Sequence, residues 1–415
     1  MTEFNHHPKD LLAFDRISVA QPFWRGFETA KNQVGIDDNV FLHAGPAFTT
    51  IDEICQPIVN SAAVGAVFEG LAKNLDDAID MVRSGEIILK PAQDFNVVTP
   101  LAAVVTPKMP LHYVYDGNHG NQFCLTPING GTGPAIRLGQ KSDEAVEHLR
   151  WINGPVLDFM VSGLGEGVEL IPIASSGLRH GDDCHGRTIA ATKCLFDELA
   201  SRVRGGVVSS EISEFFGKSP SMFLNLWMAA TKTMMLAAEG VTGSSMITAM
   251  GGNGVRMGLQ IAGLPGQWFT EMAAPPNGEI QEQLSDDRRL GAIGDSAVVE
   301  GLGLGAMQIS GAPEQVKVFK NVLPDDFEAR SEALKIGAHY DFTEAAPKIG
   351  IPLRSSLNFG AGPIVALGII DQAGELGRIC GGIYDPPLSI FASAMDALDR
   401  SYEPGPILCA MTLVR

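Results

Sequence analysis

The densest set of reactive side chains lies in RHGDDCHGRT, Arg179–Thr188. His180 and His185 titrate near neutral pH, and Asp182 or Asp183 can hold an imidazole in the tautomer a general base needs. Arg187 adds a fork that suits a carboxylate or phosphate. Asp182 or Asp183 also suits the cap of a helix carrying Ile189, Phe196, Leu199 and Val203. That cap would place His185 and Arg187 in a first turn where an anion is welcome. The cluster contains zinc-ligand types, but His180 and His185 lack the i,i+4 spacing of a helical zinc site. Acid/base or anion chemistry, a metal site and a capping network all stand as readings. His180, Asp182, Asp183 and His185 are the candidate catalytic residues, and Arg187 is a candidate substrate contact. No metal ligand is assigned, although a divalent metal is compatible with these residue types.

A second candidate is TAMGGNGVRMGLQIAGLPGQWFT, Thr248–Thr270. Asn253 suits an N-cap, and Gly263 with Pro265 suits a helix stop. Between them, Val255 and Leu259 would form one face and Arg256 and Gln260 another. A glycine-bracketed helix start offers backbone N–H groups and partial positive charge to a small anion. The competing reading is a packing corner, where glycine permits close backbone approach. We expect the anion site, with Asn253, Gly254, Arg256, Gln267 and Trp268 as substrate contacts. Asp295, in the turn Gly294-Asp295-Ser296 with Glu300 after it, is a further candidate to supply a carboxylate, an ordinary turn Asp being the other reading.

The elements that must position these residues read as mixed α and β. Val40–Phe48 reads as a buried strand running into a loop, with Thr50 and Glu53 as a capping box. Strands are expected at 86–90, 101–106, 111–116 and 122–126, with a hairpin turn at Gly117–Gly120. PINGGTGPAIR, Pro127–Arg137, is another glycine-rich loop. Residues 141–240 turn helical; Ser219 and Pro220 suit the start of an almost wholly apolar helix that ends near Gly240. Lys232, its one charge, reads as a snorkelling side chain. GPIVALGIID and LGRICGGIYDPP read as two strands joined by a turn at 372–375, before a last helix over 388–402. The expected architecture is mixed α/β (α+β) and multi-domain, with two mixed α/β domains and a helical domain between them. The boundaries are an N-terminal helical arm at 1–38, a mixed α/β domain at 39–140, a mainly helical domain at 141–247 and a glycine-rich α/β domain at 248–415.

Apolar residues make up 45% of the 415 positions, enough to bury a core, and the 47 glycines exceed the usual share of ~7%. The net charge of −18 argues against nucleic acid and anionic membrane surfaces, which reward Lys and Arg clusters. Any anion must therefore be held by local donors. Six scattered cysteines without a CxxC pair suggest reduced thiols and a cytoplasmic setting. No signal peptide or membrane-spanning run is evident. There is no phosphate-loop signature, and Gly252-x-Gly254-x-x-x-Gly258 has one residue too many for a dinucleotide fingerprint.

Five stretches together resemble the YlbE/AllG-like family: LHAGPAF with VFEGLAKNLDDA, HGDDCHGR, NGVRMGLQIAGLPGQWFT, IGDSAVVEGLGLGAM and CGGIYDPP. They keep their order over about 41–387. The resemblance implies a subunit of an oxamate carbamoyltransferase, which moves a carbamoyl group between carbamoyl phosphate and oxamate in anaerobic allantoin breakdown. It also implies an FdrA-like partner related to acyl-CoA synthetases and a further small subunit; a homo-oligomer is expected besides. Two other readings stand beside it, a non-catalytic subunit of such a complex and a metal-dependent amidohydrolase. The Ser-x-Arg-Thr phosphate motif of ordinary carbamoyltransferases has only His185-Gly186-Arg187-Thr188 as a counterpart here.

Overall fold

The helix Met222–Ala237 runs through the middle of the molecule, and all but one of its residues are buried. A segment apolar on every side has no face to give to water, so other elements surround it. It packs against the strands of two sheets and against the N-terminal helix Pro8–Ile17. The computed structural model describes residues 6–120, 122–343 and 345–401. Cys409 and Tyr402 lie outside them. The expected start at Ser219 shifts by two residues, because Ser221 occupies the cap position. Lys232 does not snorkel. It is 1% exposed, and its ammonium donates to the Thr248 carbonyl at 2.7 Å.

One antiparallel sheet has the order Phe123–Pro127, Pro110–Asp116, Pro22–Thr29, Val168–Glu169. Residues 1–38 were expected to be a helical arm. Instead Pro22–Thr29 is an interior strand, paired along its length with Pro110–Asp116. Trp24 on that strand is fully buried against Phe27 and His112. Phe23 and Trp24 are adjacent rather than alternating, and the register shifts between Trp24 and Gly26, so the period of two that marks a strand is broken in this β-branched-poor stretch. Asp10 ties the preceding helix to the body by accepting from Ser245 N at 2.6 Å and from Arg354 at 2.9 Å.

Val40–His43 forms a second sheet, parallel to Ile88–Pro91 and antiparallel to Val104–Val105. The parallel pair is joined by the helices Gln56–Glu69 and Leu75–Arg83, the crossover such a pair requires. Thr50 makes no side-chain cap; Glu53 instead accepts from Thr49 N. The hairpin Val365–Ile370 with Arg378–Tyr384 and the last helix Leu388–Arg400 form close to where their patterns predict.

The stretch 248–270 holds no helix. Ile247–Asn253, Arg256–Ile261 and Leu264–Met272 form an antiparallel meander, with Ile293–Gly294 on its edge. The apolar side chains Met257, Leu259 and Ile261 fall at alternating positions, the period of a strand, and Gly258 and Gln260 between them are buried as well. The Arg256/Gln260 spacing fits both periods. Asn253 Oδ1 does accept from Val255 N and Arg256 N, as an N-cap would, but here it closes a hairpin with Gly254 at φ +87°. The helix-terminus argument for an anion therefore does not apply to this stretch. Its glycines serve close approach: a methyl group at Gly45 would lie 2.4 Å from the Gly252 carbonyl carbon, and one at Gly251 would lie 2.6 Å from Asp295 Oδ1.

Candidate functional site

A cleft of about 460 Å³ opens where the loop 129–131, the start of the central helix, the His185–Gly186 turn and the Val365–Tyr384 hairpin meet. That volume suits a small molecule. The loop comes from PINGGTGPAIR, so the glycine-rich stretch after Phe123–Pro127 contributes to the cleft rather than the one at 248–270.

His185 is the deepest titratable group on the wall, 6% exposed. Its Nδ1 faces the Glu300 carboxylate at 2.7 and 2.8 Å. Glu300 is fully buried and also accepts from Ala306 N at 2.9 Å and Ala366 N at 3.3 Å. Gly305, at φ +61°, makes room for it: a methyl group there would sit 2.2 Å from Glu300 Oε1. Burial by itself would lower the His185 pKa, but the charge and hydrogen bond of Glu300, with a contribution from Asp183, hold it above the ordinary value. Nδ1 bound to a carboxylate leaves Nε2 to exchange a proton with a ligand.

Asp183 orients the turn. Its Oδ1 accepts from His185 N at 2.8 Å and Arg187 N at 2.9 Å, and burial pushes its carboxyl up to about 6. Cys184 beside it is held at φ +69°, an uncommon conformation for a side-chain-bearing residue. Leu101, on the opposite wall, is likewise at φ +48°. Strained backbone of this kind concentrates at binding sites.

Arg137 and Arg378 supply positive charge, and neither has an ion-pair partner among the described residues. Arg137 donates from Nη1 and Nη2 to the carbonyls of Gly130 and Gly131, both at 2.9 Å. Burial, with the charge of Arg378 added, pushes its pKa down to about 10. Asn129 brings an amide whose nitrogen and oxygen both lack partners among the described residues. Buried amides are normally satisfied, so a ligand is the fitting partner here. Lys218, Ser219, Ser221, Asn225, Ser296 and Gln315 are the other polar groups on the wall.

Of the residues singled out from sequence, only His185 lines this cleft. His180 ends the helix Leu170–Arg179 and bonds the Ser176 carbonyl, exposed to solvent. Asp182 caps the helix Ile189–Arg202 through Ala191 N at 2.9 Å and lies 3.6 Å from Arg187. Asp183 sits behind His185. Asn253 and Gly254 lie in the hairpin turn, and Arg256 pairs with Glu53 at 3.3 Å. Gln267 is exposed on the strand Leu264–Met272, and the Trp268 indole donates to Asp94 at 2.7 Å. Asp295 is fully buried next to Ser296, with its carboxyl pushed up to about 7 by burial despite its hydrogen bonds to Gly45, Gln93 and Thr99. No group of three or more His, Cys, Asp or Glu side chains among the described residues could hold a metal ion.

Arg137, Arg378 and Asn129 were missed as site residues, and Glu300 stood out only as a possible carboxylate following Asp295. Each was visible beside a glycine-rich segment, but the pairings that bring them together span up to 249 positions (378 − 129).

The model of the oxamate carbamoyltransferase subunit AllG family matches residues 87–296. The chain is 30% identical over 398 residues to the uncharacterized protein YahG of Escherichia coli (strain K12), covering 92% of this chain and 84% of that one. The chain belongs to the AllG family. It is also 27% identical to the oxamate carbamoyltransferase subunit AllG of the same strain, over 93% of this chain and 96% of the relative. The fold is shared with a crystal structure of a conserved protein of unknown function from Enterococcus faecalis V583, at a TM-score of 0.88 and 27% identity, covering 95% of this chain and 98% of that one. Among the described residues, no helix is long and apolar enough to cross a membrane.

Proposed function

We propose that this AllG-family subunit carries a carbamoyl-transfer site in the His185 cleft. Oxalurate and phosphate would be interconverted there with oxamate and carbamoyl phosphate, as in anaerobic allantoin breakdown. The observation that carries the reading is the buried His185–Glu300 pair facing a cleft with two arginines that lack carboxylate partners. All four reactants are small oxyanions, and the protein's overall charge of −18 would repel them without such a local positive field.

In the phosphorolysis direction a phosphate oxygen attacks the carbamoyl carbon of oxalurate, and the bond from that carbon to the oxamate nitrogen breaks. The departing nitrogen needs a proton. An imidazolium held protonated by Glu300 supplies it from Nε2 and, in the reverse direction, the neutral imidazole takes it back. Asn129, whose side-chain amide lacks a partner among the described residues, would donate to the oxygen that gains charge when the carbon becomes tetrahedral. We further propose that the subunit acts beside an FdrA-like protein related to acyl-CoA synthetases and a small third chain.

The test is formation of carbamoyl phosphate from oxalurate and phosphate by the purified chain, alone and mixed with those two proteins. Product in the mixture, lost in His185→Ala, is the expected result. No product in any combination sinks the reading. Turnover that survives His185→Ala moves the chemistry to a partner subunit.

A further inference from the structure

Gly368 and Gly381 stand directly opposite each other in the hairpin Val365–Ile370/Arg378–Tyr384, and both line the cleft. Neither has a positive φ, so backbone freedom does not explain them. Their neighbour does. A methyl group at Gly381 would lie 3.0 Å from Arg378 Nη2, and one at Gly368 would lie 3.2 Å from Arg378 Cδ and 3.3 Å from Nε. The paired glycines thus leave a shallow trough across the two strands, and the Arg378 side chain lies in it. Arg378 is exposed at the mouth of the cleft, and its Nε donates to the Cys380 carbonyl at 3.1 Å, which restrains the guanidinium. Nη1 and Nη2 carry no hydrogen bond among the described residues. Arg137 differs, because both of its terminal nitrogens already hold the loop carbonyls of Gly130 and Gly131.

We infer that Arg378 is the specificity-determining residue of the cleft: its free fork binds the carboxylate end of an oxamate-type ligand, and the Gly368–Gly381 trough sets its orientation. A planar pair of N–H donors matches a carboxylate through two parallel hydrogen bonds, which a lysine cannot reproduce. The ligand class is a short amide carrying a terminal carboxylate, and this assignment rests on the carbamoyl-transfer reading of the same cleft. Arg137, tied to the glycine loop, then adds field strength without selecting for shape.

The experiment compares binding of oxamate with that of oxamide, in which a neutral amide replaces the carboxylate, by calorimetry on the full chain and on the assembled complex. The expected preference for oxamate is about tenfold to about a hundredfold, the range for a hydrogen-bonded charged group. Arg378→Ala should abolish the preference, and Arg378→Lys should restore only a small part of it. Gly381→Ala meets the movable end of an arginine side chain, so the fold should survive while oxamate binding weakens and oxamide binding does not. Thermal melts check that each variant folds.

The inference is overturned if the wild-type chain shows no preference, if Arg378→Ala keeps it, or if Arg378→Ala abolishes inorganic phosphate binding while sparing oxamate. Phosphorolysis with an oxamate preference insensitive to Arg378 would remove this inference and leave the proposed reaction standing. A preference that depends on Arg378 without phosphorolysis would do the reverse.

Discussion

Glu300 gives His185 its character. A lone imidazole buried to this depth would be neutral at pH 7, since burial lowers its pKa. The carboxylate at 2.7 Å reverses that and holds the ring above its ordinary value. A His with a raised folded-state pKa contributes stability that is complete below its unfolded value and is lost as pH rises through the folded one. Catalysis by the imidazolium follows the same limb, so phosphorolysis should decline as pH rises through that pKa. Glu300→Gln removes the charge and should move the limb to lower pH, while cutting kcat/KM by about a hundredfold or more. A pH profile of kcat/KM checks this, and an unmoved limb would show that Glu300 does not act through His185. The residue types at the site were partly legible in the sequence. His185 stood out because it is flanked by acids, whereas Glu300 sits in an apolar, glycine-rich run that reads as core.

Elements decide how such residues meet. The segment 301–311 must turn tightly after the short helix Val298–Leu302, so that Ala306 N reaches back to the Glu300 carboxylate. Gly305 makes this turn with a positive φ and without a side chain. Gly305→Ala combines a strained backbone with a methyl group driven into a buried carboxylate, which has no room to move. The expected loss is about 2 kcal/mol or more in folding stability, together with loss of activity. Urea unfolding measures the first, and a fully stable Ala variant would contradict the packing described. At this scale the sequence was readable where the period was clean, as in the hairpin 365–384 and the central helix. It misled at 248–270, where glycine weakened the strand signal and Asn253 presented the hydrogen bonds of an N-cap at a hairpin turn. It also misled at 22–29, which lies within the stretch read as a helical arm although the strand itself sits inside a sheet.

Across the whole molecule, distant segments are held together by buried polar groups, and Asp295 is the clearest. Its carboxyl accepts from Gly45 N at 2.9 Å, Gln93 Nε2 at 2.7 Å and Thr99 N at 3.0 Å. It thereby joins chain positions up to 250 residues apart and sets the backbone just before the strained Leu101. Burial raises its pKa from 3.8 to about 7. The native state therefore retains a proton that the unfolded chain has released, and stability should fall as pH rises from about 4 to about 7, then level off. Asp183, pushed up to about 6, acts in the same sense. Asp295→Asn cannot titrate. It should be less stable overall because its amide would face the Thr99 N–H, but it should lose less stability than the wild type between about pH 5 and about pH 8. Denaturant melts at the two pH values compare the slopes; equal slopes would show that Asp295 stays ionised throughout.

The sequence by itself determined the mixed α/β class, the buried central helix, the hairpins with clean turns and the family, because these depend on local periodicity and on unbroken motifs. It also singled out His185 among acidic neighbours. Only the tertiary structure decided which glycine-rich loop walls the cleft, that Glu300 rather than Asp182 or Asp183 faces the imidazole, and that Arg137 and Arg378 share one cavity. Those facts are distances between residues far apart in the chain. Such distances are set by how helices and strands pack their apolar faces, and no spacing along the chain encodes them.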